Sequence, residues 1–140
     1  MKPWLLHALL AMVFAGMTSV VAKMGLTGIS GELGLAVRTV FVFVLITAFA
    51  LVVLPKDAFG TLSGHNLLWL GVSAVTTSLS WIFYYKALKV GEVANIALVD
   101  KGSILVAIVL AAVILKEPIT SRILLGGGLI VAGLLVIARK

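Results

Sequence analysis

Five ionisable residues lie within or at the ends of strongly apolar runs: Lys23, Arg38, Lys86, Asp100 and Lys101. An ionised group in such a setting is costly and has to be paired, wetted or led out to water. Two kinds of role are open to them. In the structural one, Lys23, Arg38 and Lys86 reach toward the edge of the apolar layer, and Arg38 or Lys101 locks Asp100 as a packing pair. In the functional one, Asp100 binds a proton or a cation, or the basic residues attract an anionic group. Lys101 lies ~100° around a helix from Asp100, so the two need not share a partner.

Hydroxyls offer a second chemistry. Ser73, Thr77, Ser80 and Tyr84 follow an i, i+4, i+7, i+11 spacing, which sets them along one helix face. Such a stripe can line a polar path, or its hydroxyls can bond back to the helix's own carbonyls. Trp81, beside the stripe, presents a ring face suited to an apolar or cationic ligand. Trp69 and Tyr85, near the ends of the same run, read as interfacial anchors. Ser103 shares a small-residue face with Asp100, Ala107 and Ala111, where a neighbouring helix or a ligand can come close. Gly126, Gly128 and Gly133 mark a last helix able to pack closely on another, and we expect a dimer contact there.

The elements that must position these residues are apolar segments. The 140 residues are 62% hydrophobic and 11% charged, with mean hydropathy +1.26. A soluble domain of this size could not hide so much apolar surface. Crossing ~30 Å of hydrocarbon takes ~20 helical residues, and residues 3–22, 33–54, 67–85, 93–115 and 121–138 approach or meet that length. The runs are continuous rather than alternating, so they read as helices and not as barrel strands. The expected fold is an all-α, multi-pass membrane protein of five transmembrane helices in one domain, placed in the cell membrane. The first run is long for a signal peptide, despite Lys2 and the small-residue stretch Val20-Val21-Ala22. Turn residues and charges separate the segments: Gly28-Ile29-Ser30-Gly31, the stretch from Pro55 to Asn66, Lys89-Val90-Gly91-Glu92 and Lys116-Glu117-Pro118. Threading the chain back and forth puts all five ionisable residues on one side of the bilayer.

Several function classes are disfavoured. Cysteine is absent, and His7 and His65 lie far apart, so no metal site is expected. No phosphate-binding loop or dinucleotide fingerprint occurs, and no nucleophile stands near a base. We therefore expect no enzyme activity and no cofactor. The net charge of +6 comes from residues scattered at segment ends, as membrane proteins carry them, and implies no nucleic-acid partner. Lys2, Lys56, Lys116 and Arg122 fall on one side, four residues; Lys23, Lys86, Lys89, Arg139 and Lys140 fall on the other, five residues. Orientation normally follows such a bias. A balance this even admits two readings: one orientation set by other features, or dual topology, with copies inserted both ways and paired antiparallel.

The chain also resembles a known family. The stretch from Trp81 to Gly91, then Asp100-Lys101-Gly102-Ser103, then Leu115-Lys116-Glu117-Pro118-Ile119-Thr120, then the glycine-rich run from Gly126 to Gly133 are together similar to one EamA repeat of the drug/metabolite transporter superfamily. Lys23 and Arg38 fit the same pattern, and the resemblance covers the full length. Its most specific part is the Leu-x-Glu-Pro junction ahead of the glycine-rich helix. Members typically carry two such repeats of opposite orientation in ten helices, whereas this chain carries one. The resemblance therefore implies a homodimer of single repeats, as in the small multidrug resistance branch, with a substrate path between copies and alternating access. Two departures stand out. There is no acidic residue in the first helix, so cationic-drug antiport does not carry over, and the proline that many repeats place near Asp100 is missing. Substrates in the superfamily range from amino acids to nucleotide sugars and drugs, so none is named. A non-transporting accessory or scaffold subunit is the alternative function, and it would keep the ion pairs without a hydrated cavity.

Overall fold

The computed structural model describes residues 3–55 and 57–138. Lys2, Lys56, Arg139 and Lys140, which enter the charge comparison, lie outside them. Among the described residues six α-helices follow in order: α1 (Pro3–Gly25), α2 (Gly31–Val53), α3 (Gly64–Val90), α4 (Val93–Asp100), α5 (Ser103–Ile114) and α6 (Ser121–Ala138). A short 3-10 turn, Ala58–Thr61, stands between α2 and α3. No strand occurs among the described residues. The protein is an all-α membrane protein. Trp4–Gly25, Gly31–Val53, Gly64–Val90 and Val93–Ile114 are each long and apolar enough to cross a bilayer. The last helix has 18 residues, ~27 Å at 1.5 Å per residue, close to the hydrocarbon thickness. No more than 6% of any long spanning window is buried within the chain, so lipid or other protein must cover the rest.

Two helices, α2 and α3, start earlier than their apolar runs because side chains cap them. Ser30 is extended (φ −74°, ψ 158°) and its Oγ accepts the N–H of Leu33 at 3.2 Å, so α2 begins at Gly31 and not at residue 33. Ser63 Oγ accepts the N–H of Asn66 at 3.2 Å, which brings α3 forward from residue 67 to Gly64. Thr120 caps α6 likewise, accepting from the N–H of Ile123 at 3.3 Å, and that helix begins at residue 121 as expected. The glycine at 28 turns the chain with φ 77°.

The expected continuous helix over 93–115 is interrupted. Residues 101 and 102 form a turn between α4 and α5, closed by i to i+3 hydrogen bonds: Lys101 N–H to Leu98 O at 3.1 Å, Gly102 N–H to Val99 O at 2.9 Å, Ile104 N–H to Lys101 O at 3.1 Å and Leu105 N–H to Gly102 O at 3.0 Å. Both residues keep right-handed dihedrals, so the span tightens locally to a 3-10 form without reversing direction. Gly102, a weak helix former, stands at the break in place of a proline.

The chain divides into two compact units, Val21–Val90 and a second made of Met1–Val20 with Gly91–Lys140. In Val21–Val90, α2 lies against α3. Gly31 is buried there, and a Cβ at that position would stand 2.8 Å from Tyr85 O. Leu26, Tyr85 and Leu88 form the small core of this unit. In the second unit α4 and α5 pack on α6. A Cβ on Gly102 would lie 3.3 Å from Leu134 Cδ1, and one on Gly127 3.6 Å from Leu105 Cδ2.

Candidate substrate path and basic cluster

Within Val21–Val90, the close approach at Gly31 sets Arg38, seven residues on in α2, against the aromatic face of α3. The Arg38 guanidinium carbon stands 4.3 Å from the centroid of the Trp81 ring and 5.9 Å from that of Tyr85. Trp81 and Tyr85 are one helical turn apart and so present their rings side by side. Arg38 Nη1 is shut off from solvent and has no hydrogen-bond partner among the described residues. An unsatisfied buried polar group costs about 1–3 kcal/mol, and more when charged; the ring face of Trp81 offsets part of this.

The other cations of this unit are engaged. Lys86 Nζ lies 3.6 Å from Glu32 Oε1, an exposed pair joining α3 to the first turn of α2. Lys23, in the last turn of α1, donates to Leu88 O and reaches Lys89 O at 3.4 Å. Lys89, in the last turn of α3, donates to Leu26 O at 3.1 Å. Each lysine thus satisfies carbonyls at the C-terminal end of the other's helix, where the helix dipole favours a cation.

Along α3, Ser73, Thr77 and Ser80 are exposed on one face and Tyr84 is half-buried. Neighbouring hydroxyls turn inward on their own helix: Thr76 Oγ1 donates to Ser73 O at 2.9 Å and Ser78 Oγ to Ala74 O at 2.8 Å. No such back-bond is made by Ser73, Thr77 or Ser80 among the described residues. Trp81 stands ~100° around the helix from Ser80, between this stripe and the ring of Tyr85.

In the second unit, Asp100 ends α4 and Lys101 begins the break. Lys101 Nζ lies 3.6 Å from Asp100 Oδ2, with both side chains partly exposed. The two neighbours therefore pair with each other. Such a wet pair is worth ~0–1 kcal/mol. Its polarity suits the break: Asp100 precedes the N-terminus of α5 and Lys101 follows the C-terminus of α4. Ser103 opens α5 and is exposed. Gly126, Gly128 and Gly133 of α6 have nothing within 4 Å of a would-be Cβ. They form two stripes rather than one: Gly126 and Gly133 share a face, while Gly128 stands ~200° from Gly126. Gly127, between them, is the buried one that receives α5.

Three residues at the cluster escape a reading by composition. Tyr85, expected as an interfacial anchor, is only 5% exposed and packs at Arg38, whereas Trp69, the other expected anchor, is 57% exposed. Glu32 and Lys89 hold helix ends together. The i, i+4 spacing of Trp81 and Tyr85 is the signal that could have placed Tyr85 beside Arg38.

Long apolar helices, glycine-mediated packing and charged groups within the spans define a multi-pass membrane protein. The comparisons sharpen this: the EamA-like transporter family matches residues 2–139, and the chain belongs to it. A Sinorhizobium sp. protein named "Uncharacterized transporter in cobO 3'region" is 33% identical over 137 residues, covering 98% of this chain and 97% of that protein. No solved structure matches the chain.

Proposed function

We propose that this chain is a small-molecule transporter of the drug/metabolite type, working by alternating access as an antiparallel dimer of single repeats in the cell membrane. Its pathway residues in Val21–Val90 are Ser73, Thr77, Ser80, Trp81 and Tyr84; in the second unit they are Asp100, Lys101 and Ser103, the charged and polar groups of the broken span. Lys23, Arg38 and Lys86 form the basic side, and Gly126, Gly128 and Gly133 offer surfaces for the second copy. The observation that carries this reading is the interruption of the fourth span at Lys101 and Gly102, directly after Asp100. Transporters place binding groups where a spanning helix departs from regular α-geometry, and here an acidic and a basic side chain stand at that point.

The absence of cysteine allows a direct test. Single cysteines at positions 73, 77, 80, 75 and 140 are exposed to a membrane-impermeant thiol reagent in intact cells. A hydrated path gives labelling at 73, 77 and 80 and none at 75, which faces away at ~200° from 73. Antiparallel insertion gives labelling of about half the copies at 140. Equal, negligible labelling along α3 would remove the path, and a C-terminus found wholly on one side would remove the antiparallel homodimer.

A further inference from the structure

The basic cluster has a charge it does not balance. In Val21–Val90 the carboxylates are Glu32 and Asp57. Glu32 is taken by Lys86 and stands ~240° around α2 from Arg38. Asp57 follows the far end of α2, roughly 20 Å along the helix from Arg38 at ~1.5 Å per residue. The lysines at 23 and 89 are engaged by carbonyl oxygens. Arg38 therefore has no counterion among the described residues of this unit, and its Nη1 has no acceptor there.

We propose that Arg38 is the receptor for an oxyanion, a carboxylate or phosphate carried by the molecule the protein binds. This rests on the transporter reading and names the substrate class for it. Trp81 covers one face of the guanidinium and holds its plane, and Nη1 is enclosed, so the Nε–Nη2 edge is what remains for a ligand. That edge is a planar fork whose spacing matches two oxygens of a carboxylate or phosphate. A neutral ligand would satisfy the N–H groups but leave the charge uncompensated in a medium of low dielectric, and a cationic one would be repelled. The contact of Gly31 with Tyr85 fixes α2 against α3, so the fork is set before any ligand arrives.

The test uses full-length protein in phosphatidylcholine nanodiscs, with Trp4→Phe and Trp69→Phe so that emission reports Trp81 alone. Succinate and inorganic phosphate are titrated separately at constant ionic strength. A saturable change in Trp81 emission is expected, lost in Arg38→Gln. Arg38→Lys, which keeps the charge but not the fork, weakens binding by about tenfold, the worth of one charge-assisted hydrogen bond. A second set of discs containing phosphatidylglycerol distinguishes the source of the oxyanion: the same Arg38-dependent change without added anion assigns it to a lipid headgroup. No saturable response in any arm, or equal responses from the protein with Arg38 intact and from both of its variants, overturns the proposal. Because this measures binding and not flux, its failure leaves the hydrated path of α3 to its own labelling experiment.

Discussion

Lys116 shows what it costs one residue to end a membrane helix. It follows α5 with φ 56°, the left-handed region that costs a non-glycine residue about 1–2 kcal/mol. The turn it makes lets Glu117 N–H reach back to Ala111 O at 3.2 Å, ahead of Pro118, which cannot continue a helix. The Leu-x-Glu-Pro junction is thus a helix stop whose second position contributes a backbone shape. Lys116→Gly should raise the thermal unfolding midpoint, by about 1 kcal/mol in free-energy terms, measured on protein in detergent. A lower midpoint would mean that the lysine side chain itself holds the junction. Arg38 shows the opposite case, a charged group kept in place by the Trp81 ring packed over it.

At the scale of elements, the contact between α2 and α3 depends on a missing side chain. Gly31→Ala drives a Cβ to 2.8 Å from the Tyr85 carbonyl oxygen, which cannot swing aside as a flexible side chain would. It should destabilise the protein by about 1–3 kcal/mol and shift Trp81 emission as Arg38 loses its stacking. Gly71→Ala, in the same α3 with nothing within 4 Å, is the control and should be neutral or slightly stabilising. An unchanged Gly31→Ala protein would place the close approach elsewhere. Spans were legible in the sequence because bilayer thickness fixes the length of an apolar run, and the hydroxyl stripe because α3 is regular. The capped starts at Ser30 and Ser63 were not, since a cap is polar and apolarity cannot report it. Nor was the break at Lys101 and Gly102: two charges in an apolar run announce chemistry, while their effect on the backbone depends on which hydrogen bonds form. Tyr85 escapes the sequence because nearness to a helix end suggests exposure, whereas its burial depends on Gly31 in another helix.

For the whole molecule, the outward glycines bear on assembly. We read Gly133 as part of the face for a second copy, and Gly133→Leu tests this cleanly, because nothing within the chain lies within 4 Å of its would-be Cβ. The variant should insert and fold as one copy while dimers weaken, since close backbone approach supplies packing energy where lipid gives no hydrophobic drive. Crosslinking and size measurements in mild detergent read the result, and unaltered dimers would move the interface to another helix. One feature of the first unit reaches beyond the finished structure. The reciprocal ties of Lys23 to Leu88 O and Lys89 to Leu26 O close Val21–Val90 upon itself. A growing chain leaves the ribosome from its N-terminus at about 5–20 residues per second, so everything these ties need has been synthesised before α4 begins. Val21–Val90 thus carries a latch drawn wholly from sequence that precedes α4, and closing it asks nothing of Asp100 or of any later residue.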